Sequence, residues 1–304
     1  MGWKQFVKDT RYLAVILLLV STPSISVACE LTITHPKLET RKSELVLSLL
    51  KLALSKTSTD VCYQPLPIFV TDGRKAALVN KGVLSVHWAS AGFSADEYVE
   101  PVKQPIFMGL TGFRLFVIRQ GEQSRFDNIY SIEPLKQLKV GQGAFWGDTQ
   151  ILKRAGFAVV TAAKNEALWK MLVTKRFDYM PLGAHEPWLD LAIREDMGLT
   201  VEQNILLVYP LVLYFYVAAD QPELKALIEQ GMKMAMADGS YQAKLYHSEI
   251  IQAMLAQANV LQRKQLYIDD AEQAKLLPDG YKMKLPDFLF NPPADLVTDE
   301  PRKD

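Results

Sequence analysis

The side chains able to do chemistry are spread thinly along this chain, and their spacing excludes more than it offers. His35, His87, His185 and His247 are its four histidines, with no H-E-x-x-H pair or other tight metal-ligand spacing. It has no G-x-S-x-G elbow, no phosphate loop ending in Gly-Lys-Ser/Thr and no C-x-x-C pair. What remains suits holding a small molecule rather than transforming it. The richest stretch is Val140 to Leu152, VGQGAFWGDTQIL. Gly141, Gly143 and Gly147 allow backbone conformations that side chains resist. Trp146, Asp148 and Thr149 follow, the last two being residue types that cap a helix, and Ile151 and Leu152 begin an apolar face. A helix start reached through such a turn presents free N–H groups and a partial positive charge, which suits an anion. The plain alternative is a capped strand-to-helix turn with no ligand.

Further candidate groups stand apart from this stretch. Trp88 and Ser90 end the run VLSVHWAS, at a strand terminus where parallel-sheet proteins hold ligands. The Trp88 indole either walls a cleft or fills a core. Arg114 lies beside Phe113 and Phe116, and a guanidinium amid apolar residues needs a carboxylate, from a ligand or from the chain itself. His185 and Glu186 sit at a strand end, where solvated loop residues compete with a ligand-contacting role. Tyr209 and Tyr214 flank an extended segment and pack a hinge. An enzyme acting on small carboxylic acids could draw on Glu97, Glu186 and His87 as acid–base groups. The ligand-binding candidates are therefore Trp88, Ser90, Arg114, Trp146, Asp148, Thr149 and Glu186, with no catalytic residue, metal ligand or cofactor expected.

The elements that must position these groups alternate. Strands are expected at Leu31 to His35, Val61 to Leu66, Val83 to Ser90, Leu138 to Gly141, Ala158 to Thr161 and Phe177 to Met180. Helices are expected at Arg41 to Lys56, Asp72 to Asn80, Thr149 to Ala155, Asn165 to Val173, Pro187 to Asp196, Pro222 to Ala237 and Ser240 to Leu255. In the first helix Leu45, Leu47, Leu49, Leu50, Leu52 and Leu54 make a wide buried face. Two long extended segments, near Gly109–Ile118 and Tyr209–Ala218, bracket a block with its own βαβ pattern. Such an insertion gives an α/β fold of two parallel-sheet lobes joined by two crossing strands, with a cleft between them that can close about a hinge. The expected division is 29–112 with 213–276 as lobe 1, 113–212 as lobe 2 and 277–304 as a loosely packed tail rich in proline and charge.

The N-terminus carries an address. Lys4, Lys8 and Arg11 precede the apolar core YLAVILLLV at Tyr12–Val20, and Ser26-Val27-Ala28 supplies small residues for cleavage. This is the pattern of a secretory signal peptide over residues 1–28, too short for a membrane span. Ile205 to Ala219 is apolar too, but Pro210 divides it into two buried strand pieces. An exported chain meets an oxidising compartment, so Cys29 and Cys62 are expected to pair if their strands are parallel neighbours, which would place both at one end. The competing reading is a lipidated Cys29, against which Ser26 stands where lipoprotein signals usually carry an aliphatic residue. With 34 basic and 34 acidic residues, charge gives no sign of a nucleic-acid partner. Hydrophobic residues make up 49% of the 304, ample for two cores.

These segments together resemble the type II periplasmic solute-binding proteins, the family 3 group of ABC transporter binding proteins. The likeness runs from about Cys29 to Leu266. It is carried by the β–α–β opening at Leu31–Leu66, GLTGFRLFVIR at Gly109–Arg119 and GQGAFWGDTQIL at Gly141–Leu152. VVTAAKNEALWKMLVTKRFDYMPLG at Val159–Gly183 and DGSY at Asp238–Tyr241 continue it. The resemblance implies a periplasmic monomer that binds a small molecule by hinge closure and hands it to a membrane permease, or reports it to a sensor kinase. Two departures matter. Amino-acid-binding members carry an arginine soon after the third strand, which clamps a carboxylate; here Ala89 to Val99 reads ASAGFSADEYV, with Asp96 and Glu97 instead. Members also often hold the ligand's amine on an acidic residue after the strand matching Phe177–Met180, where this chain has Pro181-Leu182-Gly183 and reaches Glu186 a little later.

Overall fold

The computed structural model describes residues 29–92 and 98–293. The expected export signal at 1–28, the acidic pair Asp96 and Glu97, and the end of the tail at 294–304 lie outside the described residues. Among those described, no helix is long and apolar enough to cross a membrane.

Strand β1 (Leu31–His35), helix α1 (Arg41–Ser55) and strand β2 (Val61–Pro65) form the opening β–α–β unit. α1 starts where a capping box allows it: the Thr40 hydroxyl accepts from the Ser43 N–H, and the Ser43 hydroxyl accepts from the Thr40 N–H, each at 3.1 Å. Its leucine face is buried, including Leu45, Leu49, Leu50 and Leu54. Helix α2 (Asp72–Asn80), strand β3 (His87–Ser90) and strand β4 (Val99–Val102) follow. A 3₁₀ turn at Leu110–Gly112 leads into β5 (Phe113–Arg119). The inserted block comprises α3 (Ile132–Lys136), β6 (Lys139–Gly143), α4 (Gly147–Arg154), β7 (Ala158–Ala162) and α5 (Asn165–Val173), then β8 (Met180–Gly183), α6 (Pro187–Ala192), β9 (Leu199–Val201) and β10 (Ile205–Val208). The chain ends with β11 (Leu213–Ala218), α7 (Pro222–Ala237), α8 (Ser240–Tyr246), α9 (Glu249–Gln257), β12 (Lys264–Tyr267) and α10 (Ala271–Ala274).

Several elements depart from the sequence expectation. The strand expected over 177–180 lies at Met180–Gly183, and the one expected over 83–90 covers only His87–Ser90. The helix expected over 187–196 stops at Ala192, and a 3₁₀ turn takes Glu195–Met197. The helix expected over 240–255 is two: α8 ends at Tyr246, and Ser248 caps a fresh start by accepting from the Ile251 N–H.

The strands assemble into two mixed layers. In lobe 1, β1 pairs in parallel with β2, and Ser85 N–H bonds to Thr34 O beside β3. β3 pairs antiparallel with β11, which pairs antiparallel with β4. In lobe 2, β6 pairs in parallel with β7, and Gly141 N–H bonds to Tyr179 O next to β8. β8 and β10 flank β5 in antiparallel register, β9 also pairs with β5, and β12 lies parallel to β10. The parallel pairs β1–β2 and β6–β7 are each joined by a single helix; β5 and β11, which carry the chain across, run against their neighbours. The apolar segment 205–219 is two strands separated at Pro210, both buried.

The crossing points are narrow. One is the 3₁₀ turn at 110–112; the other is 209–212, between β10 and β11. β12 pairs with β10 and so joins the sheet that holds β5 and β8, and the chain then turns back towards the end of β3. Arg154 Nε of α4 donates to Asp270 at 2.8 Å, after which Gln273 Nε2 donates to Ala91 O of lobe 1 at 2.6 Å. The segment 277–293 is not loosely packed. Leu277 and Leu289 are buried, and Met283, Leu285, Phe288 and Phe290 pack on the lobe 1 core. The Tyr281 hydroxyl fills the space that glycine leaves at Gly109, whose φ is +94°, and Met283 does the same at Gly112. The segment straps the crossing at 109–112, where its apolar residues are buried.

Cys29 and Cys62 form a disulfide with Cα atoms 5.7 Å apart. The parallel β1–β2 register sets Thr32 opposite Cys62, which brings both cysteines to one end. The Cys29 thiol is thereby engaged by Cys62 rather than left for a lipid.

Candidate ligand-binding site

The first turn of α4 comes up against the end of β3 across the seam between the lobes. A Cβ added to Gly147 would stand 2.7 Å from Ala91 O and 2.9 Å from Ser90 Cβ of lobe 1. The glycine run up to this turn is needed for packing: Trp146 stacks over Gly143, and Phe177 occupies the place a side chain at Gly141 would take. The capping expectation is corrected here. Trp146 is the N-cap residue, without a side-chain capping bond, and Asp148 and Thr149 lie inside the first turn. Thr149 Oγ1 instead donates back to Gly143 O at 2.7 Å. Asp148 turns towards β5.

There it meets Arg114. Of the two partners open to that guanidinium, the structure shows the internal one. Arg114 Nη2 donates to Asp148 Oδ2 at 2.7 Å and to Pro181 O at 3.2 Å, and Nη1 donates to Thr111 O at 2.9 Å. The Tyr209 hydroxyl donates to the same Asp148 oxygen at 3.1 Å. The side chains of Arg114 and Asp148 are only 4% and 2% exposed. Burial pushes the Asp148 carboxyl up against the pull of Arg114, whereas Arg114 is held charged, its burial outweighed by Tyr209, Asp148 and Glu186.

A second ion pair crosses the seam. Glu186 is not a solvated loop residue; the turn after β8 runs beneath α1 and carries it inside. Its Oε1 accepts from Lys42 Nζ at 2.6 Å, and its Oε2 accepts from the Gly183 N–H at 2.5 Å. Burial alone would raise this carboxyl, but Lys42, Arg114 and His185 outweigh it and hold it well below the usual carboxylate range. His185, also expected in solvent, is fully enclosed, its ring 4.3 Å from that of Phe107. Burial keeps it neutral, its pKa pushed down to about 4.

Around these pairs several buried polar atoms have no hydrogen-bond partner: Thr111 Oγ1, Arg114 Nε, Gln142 Oε1 and both ring nitrogens of His185. They share one neighbourhood. Gln142 Nε2 donates to Pro181 O at 3.3 Å, the carbonyl that Arg114 also contacts. Gly183 stands opposite Arg114 in register and touches His185 and Glu186.

Of the remaining sequence candidates, Trp88 packs in the lobe 1 core, opposite Phe215, and Ser90 is half-buried opposite Leu213. Trp146 is half-buried against the lobe 2 core. Arg114, Asp148 and Glu186 come together; Trp88 and Ser90 stand across the seam from α4. Lys42, Thr111 and Gln142 were not singled out from sequence. Gln142 had a usable signal, being the polar residue between Gly141 and Gly143; Lys42 had none. His87, offered as an acid–base group, stacks on Tyr216 inside lobe 1. Among the described residues no group of three or more His, Cys, Asp or Glu could hold a metal ion. A groove of about 1200 Å³ is bordered by Trp188, Gln203, Gln257 and Gln262.

No family model matches the chain, and no curated protein matches it in sequence. Solved structures do match in fold. The periplasmic VFT2 domain of BvgS from Bordetella pertussis aligns with a TM-score of 0.57 at 13% identity, over 72% of this chain and 93% of that one. An amino acid ABC transporter substrate-binding protein, AbpA of Streptococcus pneumoniae, bound to L-arginine, aligns at 0.51 and 14%, over 75% and 96%. An ancestral amino acid-binding protein described as a precursor of cyclohexadienyl dehydratase aligns at 0.51 and 15%, over 71% and 95%. The chain therefore has the two-lobed α/β fold of the periplasmic solute-binding proteins.

Proposed function

We propose that the protein binds a small polar solute between its lobes and acts by hinge closure, without turning the solute over. The observation that carries this is the cluster of unpartnered buried polar atoms where the lobes meet, at Thr111, Arg114, Gln142 and His185. Buried polar groups are normally hydrogen-bonded, so a cluster of exceptions at one interlobe seam points to a polar guest. The binding candidates that belong to this site are Arg114, Asp148 and Glu186, with Ser90, Trp146 and Thr149 at its rim and Trp88 behind it. Lobe 1 is taken as 29–112 and 213–263, and lobe 2 as 113–212 with β12.

Several features support export and a binding role. Residues 1–28 have the composition of a cleaved signal, the cysteines pair, and neighbours of the same fold include solute-binding proteins and a sensor domain. In this reading the protein works as a monomer in the periplasm and docks on a membrane permease or a sensor kinase. Absence of turnover is argued from the site. Among the described residues both carboxylates of the site are engaged in ion pairs, which leaves neither free to act as a general base.

A thermal-shift screen of amino acids, polyamines, organic acids, sugars and small amides tests the reading. A solute bound only by the native protein raises its apparent stability, and at least one compound is expected to do so saturably. Failure of every compound would count against binding, and product formation from a hit would favour an enzyme.

A further inference from the structure

The charged groups at the seam already neutralise one another. Lys42 sits on Glu186 at 2.6 Å and Arg114 on Asp148 at 2.7 Å. Each carboxylate has a second donor, the Gly183 N–H for Glu186 and the Tyr209 hydroxyl for Asp148. We propose that the cleft takes an uncharged, hydrogen-bonding solute such as a carboxamide, a urea or a polyol, and not an amino acid or other ion. This inference rests on the cleft-binding reading above and names its ligand class.

An ionic guest has to break a pair. A carboxylate reaching Arg114 displaces Asp148, whose side chain is 2% exposed and has no solvent to retreat into. Removing one partner of a buried pair leaves an uncompensated charge, which is strongly disfavoured. A zwitterionic amino acid must break both pairs at once. Only Lys42 stands at the margin, with 38% of its side chain exposed, so replacement of Lys42 by a cationic amine is the competing outcome.

What the pairs leave over is a set of neutral hydrogen-bonding positions. Arg114 Nε is a donor, Gln142 Oε1 an acceptor, Thr111 Oγ1 both, and His185 offers one donor and one acceptor nitrogen in its neutral form. A molecule carrying donors and acceptors without net charge satisfies these atoms and leaves both ion pairs intact.

The test compares two compound panels on the purified protein by thermal shift, then calorimetry, at fixed ionic strength. The neutral panel holds acetamide, urea, nicotinamide, glycerol, myo-inositol and common monosaccharides; the charged panel holds arginine, glutamine, glutamate, putrescine and succinate. A neutral compound is expected to bind at least tenfold more tightly than any charged one. That affinity should fall at least tenfold in Gln142→Leu, and likewise in Thr111→Val should the first variant fold poorly by circular dichroism. Preference for a charged compound overturns the inference and leaves cleft binding standing. A neutral hit indifferent to both substitutions places binding elsewhere and also overturns it. Silence in both panels removes the cleft-binding reading and this inference together.

Discussion

At the scale of single residues, the energetics of the seam are set by what burial does to charge. Asp148→Ala strands the Arg114 guanidinium among apolar residues and should destabilise by about 3–5 kcal/mol. The double replacement Arg114→Met with Asp148→Leu removes both charges and should come within about 1–2 kcal/mol of the parent, or exceed it. Urea denaturation measures both, and a single variant as stable as the double would show that the pair is not isolated from water. The pH dependence is equally specific. His185 titrates near 6.5 when unfolded and about 4 when folded, so between those values the unfolded chain binds the extra proton. Stability should therefore fall as pH drops from 6.5 towards 4, by about 1.4 kcal/mol per unit from this group. His87, pushed down to about 3 by burial, adds a slope of the same sign. Glu186 contributes stability that is present above pH 4.5 and lost below it. Unfolding curves of His185→Phe across pH 4 to 7 should be flatter than those of the parent; an unchanged slope would exclude His185 as the source. The need of Arg114 for a carboxylate was legible in the sequence, because an arginine between phenylalanines cannot stay unpaired. Which carboxylate was not, and the Lys42–Glu186 pair joins residues 144 apart that only the fold brings together.

At the scale of elements, close backbone approach decides which positions tolerate a side chain. Gly231 lies inside α7, where alanine normally gains about 0.5–1 kcal/mol from helix propensity. Here an added Cβ would stand 2.6 Å from the carbonyl carbon of Ala53 on α1, and backbone cannot step aside as a flexible side chain can. Gly231→Ala should therefore destabilise, by about 1–3 kcal/mol, reversing the sign expected of an exposed helix; a gain in melting temperature would refute this packing of α1 on α7. The alternation of strands and helices was readable because each element announces itself locally, α1 by its leucine face and β1 and β2 by short extended runs with a cysteine at their start. The break between α8 and α9 was harder to see, since His247 and Ser248 interrupt neither the apolar spacing nor the composition; it is the Ser248 cap that restarts the helix. The hinge strap was invisible for a related reason. Leu277, Tyr281, Met283 and Leu289 follow no helical or strand period; Tyr281 and Met283 pack into the room left at Gly109 and Gly112, and Leu277 and Leu289 join separate clusters.

At the scale of the whole molecule, the proposed function turns on whether the lobes must meet for a solute to be held. In the structure they do meet, with α4 against the end of β3, Lys42 on Glu186 across the seam, and Phe145 of lobe 2 reaching Gly73 of lobe 1. Gly147 is the place to test this. It opens α4 and is buried, and a Cβ there would lie 2.7 Å from Ala91 O in the facing lobe. Its glycine φ does not fall in the left-handed region, so a valine meets no backbone strain of its own and the obstacle is the opposite lobe. Gly147→Val should wedge the lobes apart while leaving each core intact. The expected signature is a larger radius of gyration by small-angle scattering and loss of solute binding by at least an order of magnitude. The loss in stability should be modest, about 1–3 kcal/mol, because the contacts removed are those between lobes. The chain also crosses into lobe 2 at β12 and back through Asp270 and Gln273 to the strap, which should limit how far the wedge can open the cleft. Cutting that restraint with Arg154→Ala and Gln273→Ala should widen the expansion in the Gly147→Val background and have little effect in the parent, where closure holds the lobes together. Undiminished solute binding in Gly147→Val, with scattering unchanged, would mean that the site is formed within one lobe and that hinge closure is not the mechanism.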